Sequence, residues 1–415
     1  MRWKYKSPMT LTSQIAVHKP DQAGSPLEVL KIFAKLGVTC FGGPIAHIGY
    51  FRHEFVVRRQ WLDSAAYANL VGFCQFLPGP ASSQVGFSLG LMRAGYFGGL
   101  AAWIGFTLPS AFLLVLFAYL GHALQDPVAL GLLHGFKLVA VAIVGNAVWS
   151  MARALCPDPQ RAFIAVAAAL IVLMTASSAT QIVAIALGGI AGFWLCRADP
   201  MASPSPITIH VSRSVGFAAL AIFIVLLAGL PVLHSITGSE GVALFDAFYR
   251  SGALVFGGGH VVLPLLHEAV VAPGWISDDT FLIGYGAAQA VPGPLFTFSA
   301  YLGTLVAISP HGVLGAITSL IAIFLPGLLL LTGTLSFWDA FRRRASAQAV
   351  MRGINASVVG LLGAALYHPV WTGAVRVPAD VALVVVGFLA LTLWGLPPWI
   401  VIVFLAVTGA LFTVI

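Results

Sequence analysis

Long apolar stretches almost free of charge decide what this chain can fold into: Phe163 to Thr175 followed by Gln181 to Cys196, then Val215 to Leu233, then Val381 to Ile415. A helix needs about 20 apolar residues to cross the hydrocarbon core of a bilayer. Of the 415 residues 59% are hydrophobic and 8% charged, against about 25% charged in a soluble domain. No soluble fold buries that much apolar surface. With lipid as solvent, every backbone polar group has to be satisfied inside the protein, which a helix does within one segment. The expected fold is therefore all-α, polytopic and integrated into one membrane domain.

Residues 1–26 are polar and basic, with Arg2, Lys4, Lys6 and Lys19, and hold no apolar core; they read as a cytosolic tail rather than a signal peptide. The net charge of +7 is spread over short loops without interleaved aromatics, so it reports orientation in the bilayer and not nucleic-acid binding. Cys40, Cys74, Cys156 and Cys196 show no CxxC spacing, so neither a metal nor a redox pair is indicated and no cofactor is expected. No Gly-x-Ser-x-Gly elbow, HExxH or phosphate loop marks a catalytic centre.

Internal repetition comes next. Phe41-Gly42-Gly43-Pro44 is echoed by Phe256-Gly257-Gly258-Gly259, with Lys35 matching Arg250 and Gly37 matching Gly252. Downstream, Glu54 matches Glu268, Trp61 matches Trp275, and Gln75-Phe76-Leu77-Pro78-Gly79-Pro80 matches Gln289-Ala290-Val291-Pro292-Gly293-Pro294. Leu108-Pro109 and Gly135 then pair with Leu325-Pro326 and Gly353 in the same order. The reading is a first membrane repeat at 27–197, a linker with one extra transmembrane helix at 198–240, and a second repeat at 241–415. Hydropathy gives six segments per repeat and one between, so the second repeat starts an odd number of segments later. The repeats are then inverted, as in many secondary transporters.

Loop charges refine this. The loop with Arg52, Arg58 and Arg59 is basic, whereas its counterpart carries Glu268, Asp278 and Asp279 without a lysine or arginine. Both obey the positive-inside rule if the first two segments of each repeat are re-entrant hairpins, entering from the cytosol in the first and from outside in the second. Full spans are the alternative. On the hairpin scheme the amino terminus, Arg93, Arg153, Arg161, Arg197, Arg213 and Arg342-Arg343-Arg344 are cytosolic, and only Arg376 fits poorly.

Gly-Gly-Pro and Pro-Gly-Pro inside apolar segments interrupt a helix. Each interruption starts a half-helix whose free N–H groups and dipole favour an anion. The breaks at Gly42, Gly43 and Pro44, at Pro78, Gly79 and Pro80, at Gly257, Gly258 and Gly259, and at Pro292, Gly293 and Pro294 are candidates to line a mid-membrane cavity. Thr39, Gln75, Ser82, Ser83, Gln289, Thr297 and Ser299 stand beside them; kinks without ligand are the plainer reading of any one motif. Lys35, Arg250 and Lys137 are cations within apolar segments, a functional signal by default, and no internal carboxylate suggests itself as their partner. Snorkelling to the interface is the alternative for Lys35 and Arg250. His47, His53, His260 and His267 lie near the motifs and leave proton coupling open.

Phe41-Gly42-Gly43-Pro44-Ile45-Ala46-His47 with Phe76-Leu77-Pro78-Gly79-Pro80, repeated as Phe256-Gly257-Gly258-Gly259-His260 with Val291-Pro292-Gly293-Pro294, resembles the long-chain, two-repeat chromate ion transporters of bacteria. The similarity covers nearly the whole chain after the tail. The resemblance implies a multi-pass inner-membrane protein that exports chromate, with sulfate as competitor or exchange partner and a homodimer left open. Gly259 stands where the first repeat has Pro44, so the two sites need not be equivalent. Transport of another oxyanion such as sulfate or molybdate, an intramembrane enzyme acting on a phosphate or lipid, and a channel are the other readings.

Overall fold

The structure is a computed structural model that describes residues 24–123, 127–174, 178–196, 211–256, 259–335 and 345–412. Gly257, Gly258, Arg197, Arg342 to Arg344 and most of the polar tail lie outside the described residues. Among the described residues every regular element is helical. The first half comprises α1 (Pro26–Thr39), α2 (Gly43–Phe51), α3 (Ser64–Phe76), α4 (Ala81–Ala123), α5 (Pro127–Leu155), α6 (Pro159–Met174) and α7 (Ser178–Leu195). The linker supplies α8 (Arg213–Thr237). The second half comprises α9 (Glu240–Ala253), α10 (Val262–Val270), α11 (Asp278–Ala290), α12 (Phe298–Leu305), α13 (Gly312–Leu335), α14 (Ala345–Ala365), α15 (Pro378–Thr392) and α16 (Pro398–Phe412).

The helices around the glycine and proline motifs are short. Apart from α4, which starts after Pro80, the longest, α1 and α9, have 14 residues, about 21 Å at 1.5 Å per residue, less than the roughly 30 Å of a hydrocarbon core. Local chemistry sets their ends. Ser25 accepts the Glu28 N–H and Pro26 opens α1, proline costing nothing where the N–H is unpaired anyway. Asp63 and Ser277 cap α3 and α11 in the same manner.

Among the described residues five stretches are long and apolar enough to cross a membrane: Ala81–Gly121, Leu130–Leu155, Arg213–Thr237, Gly312–Leu335 and Ser346–Ala374. The first is not one straight rod. Ala94 and Gly95 leave helical geometry, Gly95 with φ +65°, and the two arms fold back on each other: a Cβ on Gly99 would stand 2.9 Å from the Phe87 ring, and one on Gly90 would stand 2.9 Å from the Ala102 methyl. In the second half α12 and α13 stand in the same relation, Gly303 lying against Gly315.

Small residues carry the repeated packing, as van der Waals fit between helices requires when lipid is as apolar as a leucine. Gly37 brings α1 against the backbone of Gly105 and Phe106 in α4, and its repeat mate Gly252 brings α9 against Ile323 in α13. The last two helices of each half cross over to the other. Helices α6 and α7 pack on α14, through Gly360 beside Ala165 and Gly353 beside Gly192, while α15 and α16 pack on α5, through Gly135 beside Leu405 and Ala406. A single buried core accordingly mixes Leu138, Val141 and Val144 of α5 with Phe281, Tyr285 and Phe298 of the second half.

Candidate functional site

The breaks converge. The Gly79 N–H donates to the Val255 carbonyl at 2.7 Å, and the Gly293 N–H donates to the Cys40 carbonyl at 2.9 Å. Gly79 and Gly293 are repeat mates, as are Cys40 and Val255. Each half therefore ties its second break to the first break of the other half by one main-chain bond. Both glycines need conformations closed to other residues, φ +116° at Gly79 and +105° at Gly293. Both also press on matched positions beyond the repeated Leu-Pro pair. A Cβ on Gly79 would stand 2.9 Å from the Gly327 Cα, and one on Gly293 would stand 2.7 Å from the Ser110 Oγ. Buried side chains finish the knot: Gln84 Nε2 donates to the carbonyls of Pro78 and Gly327, and Thr297 Oγ1 donates to the Pro294 carbonyl at 2.7 Å.

Beside the knot lies a cavity of about 150 Å³ lined by Gly42, Gly43, Pro44, Gly259, His260 and Gln289 together with Ile143, Asn146, Ala147, Ser150, Met151, Leu391 and Pro398. One water occupies about 10–15 Å³ on this measure, so an oxyanion with part of its hydration fits. Helix α2 begins at Gly43 with no side-chain cap, Gly42 turning the chain at φ +99°, and its first-turn N–H groups are left for a ligand or water. Helix α10, which follows the turn Gly259–Val261, likewise starts without a side-chain cap. His260 Nδ1 is hydrogen-bonded to the Tyr285 hydroxyl at 2.9 Å, which fixes the ring at the cavity wall. Ser150 is exposed, so the cavity reaches the surface at the end of α5 that carries Arg153.

Of the residues singled out in the sequence, Gly42, Gly43, Pro44, Gly259, His260 and Gln289 come together at the cavity. Pro78, Gly79, Pro80, Pro292, Gly293, Pro294 and Thr297 belong to the knot. Ser82 is buried, its Oγ 3.4 Å from His47 Nδ1, and Ser83 and Ser299 are buried as well. Gln75, Thr39 and Lys35 are exposed and do not line the cavity; Thr39 Oγ1 donates to the Lys35 carbonyl. Asn146 and Ser150 escaped the sequence reading, although a polar Asn146 inside the apolar run from Leu138 to Val148 was a usable signal.

Two cations are corrected. Lys137 and Arg250 were expected to lack carboxylate partners, yet Lys137 Nζ meets Asp279 Oδ1 at 2.6 Å and Arg250 Nε meets Asp246 Oδ1 at 2.8 Å. Asp279 heads α11 and Asp246 sits one turn before Arg250 in α9, so neither carboxylate stands alone in lipid and the cost of burying the cations is offset. Asp279 also faces Arg376 at 3.7 Å, which places Arg376 beside the acidic loop.

At the first-half loop Glu54 receives Arg58 and Arg59 at 2.9 and 2.6 Å. Burial pushes its carboxyl up, but the hydrogen bonds from Arg59 and Arg58 outweigh it and hold the group below the usual carboxylate range. Arg93 lies over the Trp61 ring and reaches Glu28, joining that loop to α1 and α4. No group of metal-ligating side chains occurs among the described residues.

The sequence profile of the family described as Chromate transporter matches twice, over residues 27–193 and again over 242–410. The chain belongs to the chromate transporter family. Its curated relatives include the chromate transport protein of Pseudomonas aeruginosa, 28% identical over 90% of this chain and 89% of that one. The probable chromate transport protein of Synechococcus elongatus is 28% identical over 93% and 95%, and the chromate transport protein of Cupriavidus metallidurans 27% identical over 87% of each chain. No solved structure matches the chain. The family consists of transporters, not enzymes, and the chain is a multi-pass membrane protein built from two repeats.

Proposed function

We propose that this transporter carries chromate out of the cell across a bacterial plasma membrane, and that the cavity beside the crossed breaks holds the anion. The observation that carries the reading is the uncapped start of α2 at Gly43, which shares one cavity with the Gly259 turn, Asn146, His260 and Gln289. Free N–H groups at helix starts favour anions, and a tetrahedral oxyanion accepts from several donors at once. Gly42, Gly43, Pro44, Gly259, His260, Gln289, Asn146 and Ser150 touch it; the knot at Pro78 to Pro80 and Pro292 to Pro294 sets their spacing.

On the charge scheme the amino terminus is cytosolic, and the cavity mouth at Ser150 and Arg153 faces the cytosol. Each charge crossing 100 mV contributes about 2.3 kcal/mol, so a dianion leaving a cell negative inside gains roughly twice that. Membrane potential is then a sufficient driving force, and sulfate, similar in shape and charge, competes or exchanges. The test is labelled-chromate flux in vesicles of defined orientation, with potential, sulfate and pH gradients imposed one at a time. Outward flux that follows an imposed potential supports the reading; chromate that never crosses, with sulfate or molybdate crossing instead, replaces the substrate.

A further inference from the structure

The ion pairs at the far end of α5 form a cluster of their own. Lys137 leaves α5 with its side chain 6% exposed, and its ammonium meets Asp279, whose side chain is 55% exposed. The other Asp279 oxygen faces the Arg376 guanidinium at 3.7 Å, and the Arg376 side chain is 61% exposed. Arg376 is anchored from behind. Asp380, buried at the start of α15, accepts the N–H groups of Arg376 and Val377 at 2.8 and 3.2 Å, and is hydrogen-bonded to His134 Nε2, one turn before Lys137, at 3.0 Å. Lys137 thus stands nine residues from Asn146 on one helix, about 14 Å along the axis at 1.5 Å per residue, at the opposite end from the cavity mouth.

The three charges are unequal in freedom and in number. Lys137 cannot follow water, because its stem is enclosed. Asp279 can, because it sits on the first turn of α11 with half its side chain in solvent, and exposed carboxylates lose little by leaving an ion pair. One carboxylate charge serves two cations, closely at Lys137 and distantly at Arg376. When Asp279 swings away, an enclosed ammonium and a guanidinium face the same space and require another anion.

We propose that Lys137 and Arg376 form a second oxyanion station on the side of the protein opposite the cavity mouth, and that the Asp279 carboxylate occupies it in this structure as the substrate's stand-in. A tetrahedral dianion reaching this end displaces Asp279, bridges both cations and leaves when the carboxylate returns, so the pair closes the path whenever no anion is passing. The proposal rests on passage of an anion through the cavity.

The test uses the full chain in liposomes, with labelled chromate as probe for equilibrium binding and for flux. Asp279→Asn removes the competitor and is expected to tighten binding by about fivefold while slowing turnover, since release loses its displacing group. Arg376→Gln, at an exposed position that folding does not need, is expected to raise KM by about tenfold, the loss of one charged hydrogen bond, with little change in thermal unfolding. The neutral double variant Lys137→Met with Asp279→Leu separates a station from a tether, because a tether is replaced by apolar contact. Wild-type KM in that double variant and in Arg376→Gln overturns the station while leaving the transport reading intact. Absence of chromate binding and flux in the wild type overturns both.

Discussion

Replacing Gly293 or Gly79 by alanine strikes both halves of the knot at equivalent points, and the structure sets the size of the effect. A non-glycine residue forced to positive φ costs about 1–2 kcal/mol. The new methyl at Gly79 would meet the Gly327 backbone at 2.9 Å and that at Gly293 the Ser110 side chain at 2.7 Å; crowding of this kind costs about 1–3 kcal/mol. If the turn shifts to relieve it, the bond to Val255 or Cys40 is lost, about 0.5–1.5 kcal/mol. Each substitution is expected to destabilise by about 2–5 kcal/mol, read as a shift in detergent-induced unfolding of the purified protein. Gly72→Ala is the control, because Gly72 lies inside α3 with nothing within 4 Å of a new methyl, and helical alanine there is favoured by about 0.5–1 kcal/mol. The reasoning fails if Gly79→Ala and Gly293→Ala unfold like the wild type, or if one is severe and its repeat mate harmless.

Asn146→Leu removes a cavity donor without a buried ion pair, so KM for chromate should rise by about tenfold with unfolding unchanged; a wild-type KM would take Asn146 out of the site. Glu54 has a folded pKa below its unfolded value, so its stabilisation is present above the unfolded pKa and is lost as pH falls through the folded one. Melting curves taken down through the carboxylate range should therefore drop less in Glu54→Gln than in the wild type, and parallel curves would contradict the role given to the Arg58 and Arg59 bonds. A cysteine beside Trp61 should react with an impermeant reagent from the cytosolic face and one beside Trp275 from the outer face; labelling of both from one side would end the inverted-hairpin scheme.

The repeat was legible because glycine and proline are punctuation that chance does not place in register, and the breaks it marked are where the helices stop. What the linear pattern could not show is that the halves bond crosswise. Gly79 to Val255 and Gly293 to Cys40 are long-range main-chain bonds, and a main-chain bond leaves no residue signature. Gln75 and Gln289 show the related limit: they are repeat mates, but Gln75 is exposed while Gln289 lines the cavity. Lys137 was legible as a buried cation, but its partner lies outside the apolar segments, where no sequence pattern links the two. Asp279 is 142 positions away, at the head of a helix whose sequence neighbours form a loop. Asn146 lacked a marked repeat mate and so carried no flag except its polarity.

The exchange of Pro44 for Gly259 has a steric cause. The two residues meet where the starts of the two half-helices approach, and a Cβ on Gly259 alone would stand 3.1 Å from the Pro44 Cγ. A proline there would add two more ring carbons toward the same contact and fix φ near −65°, so the symmetric arrangement with two prolines does not fit. One half can carry the rigid ring only if the other presents bare backbone. The departure from exact repetition therefore keeps the start of α2 and the Gly259 turn close enough to front a single cavity, and the space lies to one side of the contact, against Asn146 of α5, rather than between equal partners. Two halves alike in sequence are in this way left with one cavity at their crossing, which α5, α11, Leu391 of α15 and Pro398 of α16 complete.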